Sequence, residues 1–302
     1  MEYQNISIKS AVGNLLDFKS KEDYVDKWFL MESPIPILAI WITYVLFVLK
    51  IGPETMKKRE AFSLRNVIIL YNTLQVAVSI FIFNMGMSLL HPVGYVHVTC
   101  VRDDVMTRNI SWGIYLYFLA KLSELLDTVF FVLRKKQNQV SFLHIYHHSI
   151  MLWLTWLTLK FEPTYSTTFL GTLNTFVHII MYTYYGLSAF PSIAKFLWWK
   201  KYITLLQLTQ FVLVLIHTLA NYAFTDCPPS YILLYAILGN GLLFIYLFAD
   251  FYMKSYKSKD NEMKKSNKSI KNGLEKQENG VRKENYCVRN CTSCDGIAKK
   301  TH

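Results

Sequence analysis

The chain has 302 residues, 52% of them hydrophobic and 16% aromatic, with a mean hydropathy of +0.22 and a formal net charge of +11. That is too apolar for an ordinary soluble domain and fits a polytopic membrane protein in contact with lipid. Seven of the eleven excess charges come from residues 254–302, where 13 Lys and Arg stand against 6 Asp and Glu, so the basicity is not a nucleic-acid footprint.

Residues 1–32 mix charged and apolar side chains without the apolar stretch of a signal peptide. Asn5-Ile-Ser7 is an N-x-S glycosylation acceptor. Apolar runs then predict membrane spans over about 34–49, 67–90, 112–133, 140–159, 167–189, 202–224 and 231–253. Lys and Arg at the successive connections number 5, 2, 3, 1, 3 and 0, followed by the 13 of the tail. The alternation places the N-terminus in a lumen and the C-terminus in the cytosol. The expected fold is therefore all-α and polytopic, with seven transmembrane helices. Its parts are a lumenal segment (1–32), a seven-helix domain (33–253) and a basic, disordered cytosolic tail (254–302). The first run is only about 16 residues long, so the alternative is a re-entrant first segment and six spans.

This topology sorts the remaining signals. Cys100 and Cys227 both fall on the lumenal side, where a disulfide between them is expected, the alternative being two free thiols. Asn5 is lumenal and open to glycosylation; Asn267 and Asn290 match the same pattern on the cytosolic side and stay bare, and Asn109 hugs the third span. Cys287, Cys291 and Cys294 lack a fourth metal ligand, which leaves a disordered tail, palmitate or a metal as their alternatives.

A charge at mid-bilayer costs at least about 2.5–3.5 kcal/mol on insertion scales, so each needs a reason. The third span carries Lys121, Glu124 and Asp127 at spacings of three, on one stripe. The fourth carries His144, His147 and His148 at i, i+3 and i+4, again on one face. The fifth carries Asn174, His178, Tyr182 and Tyr185, and the sixth Thr204, Gln207, Gln210 and His217. At 1.5 Å per residue, Asp127 and His147 lie about 11 Å from the cytosolic ends of their spans, and Glu124 and His178 about 15 Å. Four helices thus present polar groups at one depth, with apolar and aromatic residues beyond. Such a chamber suits a molecule with a charged head and a long acyl tail. Lone Asn or Gln residues also serve as interhelical ties, and Lys121–Glu124 as a structural ion pair. His217 lies deeper, as a structural histidine.

In order and spacing, Lys121-x-x-Glu124-x-x-Asp127-Thr128, His144-x-x-His147-His148, Asn174-x-x-x-His178-x-x-Met181-Tyr182-x-Tyr184-Tyr185 and Thr204-x-x-Gln207-x-x-Gln210-Phe211 resemble the signature blocks of the very-long-chain fatty acid elongases, over roughly residues 25–255. The resemblance implies six of seven helices closed around an acyl tunnel in the endoplasmic reticulum membrane. It implies the condensing reaction, in which acyl-CoA and malonyl-CoA give 3-oxoacyl-CoA, CoA and CO2, and the reductase and dehydratase of an elongation cycle as partners. Lys299 and Lys300 resemble a dilysine retrieval signal. Oligomeric state is left open, a homo-oligomer included.

Soluble condensing enzymes hold the acyl group on a cysteine, and no cysteine lies in a predicted span. Either the enolate attacks acyl-CoA directly or a histidine takes the acyl group first; the second is favoured, with His147 and His178 as candidates. His144, His148, Lys121, Glu124, Asp127, Asn174, Tyr182 and Gln207 then orient rings and substrate. Arg134, Lys135, Lys136, Lys200 and Lys201 are candidates for CoA phosphates, or are simply positive-inside residues. No cofactor or metal is expected beyond the two CoA substrates. A di-iron oxidase is the rival enzyme class, but it needs about eight imidazole-rich ligands and only four histidines are suitably placed. A seven-helix receptor gives no reason for acid, base and histidines to share one level.

Overall fold

A computed structural model describes residues 19–92, 94–96 and 103–257, and among these the regular structure is helical throughout. The long helices are α1 (Pro34–Lys57), α2 (Arg65–Leu90), α3 (Asp104–Leu133), α4 (Phe142–Phe161), α5 (Tyr165–Ser188), α6 (Lys200–Phe224) and α7 (Tyr231–Tyr252). Among the described residues, four helices are long and apolar enough to cross a membrane: α1, α2, α6 and the run Tyr231–Tyr256 that contains α7. Helices α3, α4 and α5 carry the acidic, basic and histidine residues, which lower their hydropathy, yet the 20 residues of α4 already reach about 30 Å.

Local chemistry sets the helix ends. Ser33, Asp103, Ser141 and Thr164 cap α1, α3, α4 and α5 through their side chains, and Thr164 forms a reciprocal capping box with Thr167. The charge of Lys50 made the first apolar run look short, but α1 continues for 24 residues. A π segment, Phe47–Ile51, precedes Gly52-Pro53 within it. The wider turn accommodates the proline ring and its missing N–H inside a continuous helix. A Cβ on Gly52 would stand 2.6 Å from Val132 Cγ1, so α1 rides against α3 at this point.

The chain divides into two units, Met1–Ala249 and Asp250–His302. In the first, α2 packs most extensively against α5, and α3 against α4. A Cβ on Gly86 would lie 2.0 Å from Thr172 Oγ1, which shows how closely α2 and α5 approach. Helix α1 and the segment before it join α3 and α4 in one core containing Met31, Ile37, Val48, Phe118, Leu152 and Trp156. The described part of the second unit is the end of α7 and a π turn, Met253–Lys257, with Lys254 paired to Asp250 at 2.8 Å.

Lys160 departs from the expectation of a flanking loop cation. It is fully buried, and its ammonium donates to Asp26 and to the carbonyl of Met31. Trp156 Nε1 donates to the carbonyl of Leu30 at 2.9 Å, where the backbone adopts a φ of 66°. Residues 19–33 are thereby fastened to the end of α4. Burial works to raise the Asp26 carboxyl, but hydrogen bonds from Lys160 and Ser20 outweigh it and hold the group below the usual carboxylate range. A carboxylate depressed on folding contributes stability that is present above its unfolded value, roughly pH 4, and lost as pH falls through the folded value. In Asp26→Asn, we expect a loss of about 3 kcal/mol, because an unpaired buried ammonium remains. Pepsin digestion in detergent should cleave residues 19–33 of the variant at any acidic pH, and of the parent only below the usual carboxylate range.

Candidate active site

Lys121 and Glu124 lie one turn apart on α3, both buried. The Lys121 ammonium donates to both carboxylate oxygens, at 2.9 and 3.0 Å. His178, buried on α5, places Nδ1 3.1 Å from Glu124 Oε1 and 3.5 Å from Lys121 Nζ. With Nδ1–H donating to the carboxylate, the lone pair of the ring is on Nε2. Tyr117 presents its ring 4.8 Å from Lys121 Nζ and donates its hydroxyl to Asn174 Oδ1 at 2.7 Å. Isolated charges in such a place are prohibitively costly, and this arrangement pairs each of them.

Asp127 stands one turn further along α3 and accepts from Tyr182 Oη at 2.8 Å. The stripe therefore splits in function: Glu124 meets the histidine of α5, and Asp127 meets a tyrosine of α5. Gln75 of α2 donates to Ser123 Oγ at 2.8 Å and ties α2 to α3 at the same level.

On α4, the rings of His144 and His148 lie 4.4 Å apart and those of His147 and His148 5.4 Å apart. His148 is buried, whereas His144 and His147 are half-buried. His147 sits 5.1 Å from the ring of Phe244 on α7, and Tyr146 donates to Asn240 Oδ1 at 2.7 Å. Nε2 of His144 is buried without a hydrogen-bond partner among the described residues.

A cavity of about 140 Å³ opens beside His147. His147, Asn174 and Gln210 form its polar end; Thr158, Thr167 and Leu233, near the opposite ends of their helices, line the other. Its wall is rich in threonine, yet the hydroxyls of Thr155, Thr167, Thr168 and Thr172 bond back to carbonyls three or four residues earlier. With those hydroxyls occupied, the wall is greasier than its sequence reads. Gln207, named from sequence, instead reaches Met181 Sδ at 3.5 Å, and it is Gln210, one turn on, that lines the cavity. Val214 lines it as well, whereas Leu213 is exposed on the outer face of α6.

Arg134 is half-buried at the end of α3, while Lys135, Lys136, Lys200 and Lys201 are exposed. Cys227 is disulfide-bonded; Cys100, its expected partner, lies outside the described residues, as do Asn5, Asn267, Asn290, Cys287, Cys291, Cys294, Lys299 and Lys300. His217 is a packing residue, stacked 3.8 Å from Phe169 with Nε2 2.8 Å from the carbonyl of Tyr95. Among the described residues, no group of three or more His, Cys, Asp or Glu is arranged to hold a metal ion. Sequence reasoning passed over Tyr117. Tyr117 lies four residues before Lys121, on the same face, and that spacing was the available signal.

Residues 29–265 match the model of the ELO: GNS1/SUR4 family. The chain is 42% identical over 270 residues to very long chain fatty acid elongase 4 of Mus musculus, covering 88% of this chain and 85% of that one. It is 43% identical over 263 residues to very long chain fatty acid elongase 4 of Homo sapiens, covering 86% and 82%. To very long chain fatty acid elongase 7 of Drosophila melanogaster it is 40% identical over 266 residues, covering 85% and 79%. On both grounds the chain belongs to the ELO (GNS1/SUR4) family, that of the very long chain fatty acid elongases.

Proposed function

We propose that this multi-pass membrane protein is the condensing enzyme of fatty acid elongation, joining long-chain acyl-CoA to malonyl-CoA. The observation that carries the reading is His147 facing an apolar cavity while Lys121, Glu124 and His178 form a buried, hydrogen-bonded cluster at the same level. The names of the relatives above point to the same class of substrate.

In this reading a nitrogen of His147 attacks the thioester carbonyl of acyl-CoA. The C–S bond breaks, CoA leaves, and the imidazole proton passes to the thiolate by way of His178. The acyl-imidazole so formed lies with its tail in the cavity. Malonyl-CoA then loses CO2, and the Lys121 ammonium stabilises the enolate. The enolate carbon bonds to the acyl carbonyl, the C–N bond breaks, and the imidazole takes up a proton. Glu124 fixes the tautomer of His178, and Tyr117 and Asn174 position the polar end.

The basic turn after α3 supports binding of the CoA phosphates there. Its backbone closes with Lys136 N–H donating to the Phe131 carbonyl and Lys135 N–H to the Val132 carbonyl. Lys135 occupies the left-handed position, φ 55°, that glycine usually fills in this motif. A lysine held there at a cost of about 1–2 kcal/mol fits a role for its charge. We place the protein in the endoplasmic reticulum membrane with a lumenal N-terminus and six helices around the acyl tunnel, working with a reductase and a dehydratase.

Purified protein given acyl-CoA and malonyl-CoA should release CO2, CoA and 3-oxoacyl-CoA in equal amounts. An unsaturated product formed with consumption of oxygen would instead identify an oxidase.

A further inference from the structure

Helix α7 meets α4 and its following turn at two polar points, one at each end of the cavity. At the histidine level, Tyr146 donates to Asn240. At the other end, Glu162, in the turn between α4 and α5, receives both polar groups of Ser230. The backbone N–H of Ser230 donates to Oε1 at 2.6 Å, and its hydroxyl donates to Oε2. Ser230 is also the cap of α7, accepting from Leu233 N–H at 3.2 Å. The carboxylate therefore sits at the positive end of that helix.

Glu162 lies one turn beyond Thr158, and Ser230 one turn before Leu233, the last residues of α4 and the first of α7 to line the cavity. Pro163 and Pro229, next to the two partners, are buried. Eleven residues separate His147 from Thr158, so the cavity runs about 16 Å past the imidazole. An acyl chain that runs past that lining meets the turn that Glu162 and Ser230 join.

We propose that the Glu162–Ser230 pair is an end latch that sets the longest acyl chain the cavity accepts. This rests on the condensing function proposed above and names the contact that limits its substrate. Neither residue touches the reacting atoms; both act by holding the first turn of α7 against the turn that follows α4.

The test compares wild type with Glu162→Ala, Glu162→Gln and Ser230→Ala by two readouts. In the first, saturated acyl-CoAs of increasing length are each given with malonyl-CoA and the longest product is recorded. In the second, Tm is measured with the same acyl-CoAs and no malonyl-CoA, which reports binding without condensation. The expected result is a cutoff longer by two or more carbons in Glu162→Ala. Ser230→Ala, which keeps the N–H bond, and Glu162→Gln should shift it less. The rate with an acyl-CoA well inside the cutoff should stay within about twofold of wild type. An unmoved cutoff in both readouts, with wild type active, overturns the latch and leaves the condensing function standing. A binding cutoff that moves while wild type makes no condensation product keeps the latch and overturns the condensing function.

Discussion

Incubated with acyl-CoA alone, the enzyme should release free CoA up to one per active site and gain one acyl mass before any malonyl-CoA is present. The motive is the position of His147. It is the histidine of its helix that lines the cavity, and His178 of α5 is held by Glu124. An acyl-imidazole is reactive enough to pass its acyl group to an enolate, so the proposed species would turn over rather than accumulate as a dead end. In His147→Gln both the burst and condensation should vanish. In His178→Gln the burst should persist at a lower rate, while condensation falls by about 10²–10⁴-fold, the range for loss of a proton-transfer group. The CoA burst is read with a thiol reagent, and the adduct by mass spectrometry of intact protein. If wild type releases no CoA without malonyl-CoA, the enolate attacks acyl-CoA directly and the histidines serve the enolate alone.

The charged cluster predicts the second large effect. Lys121→Met leaves Glu124 buried with only His178 as its partner. The expected cost is about 3–5 kcal/mol, the usual consequence of breaking a buried ion pair from one side. Removing both charges in Lys121→Met/Glu124→Met should recover much of that stability, because no uncompensated ion remains. Activity should not recover, since His178 has lost the carboxylate that sets its tautomer. Thermal unfolding in detergent and turnover, measured on the same preparations, separate the two. A double variant with activity near wild type would make the cluster structural only.

Much of this centre was legible from spacing. Period-three and period-four patterns placed Lys121 with Glu124, and the three histidines together, without any knowledge of contacts. Counting residues from each helix end also matched Glu124 to His178, and the two are 3.1 Å apart. What escaped depended on rotation rather than depth. Gln207 and Gln210 differ by one turn, and which of them meets the cavity is decided by how α6 is turned against its neighbours. Lys160 escaped for a different reason, since its partner Asp26 is 134 residues away and nothing local announces the pairing. The threonine wall escaped because hydropathy scores a hydroxyl as polar whether or not the helix has already claimed it.

The two-point attachment of α7 has a consequence for how the protein is made. Helix α7 is the last of the long helices to leave the ribosome, after the acid, the base and all four histidines of the candidate site. Until it arrives, His147 lacks Phe244, and the cavity lacks the wall formed by Leu233, Ile237, Asn240 and Gly241. A chain stopped after α6 would carry every reactive group beside a groove open to lipid. The order of synthesis thus assembles the charged and histidine residues first and encloses the apolar cavity last.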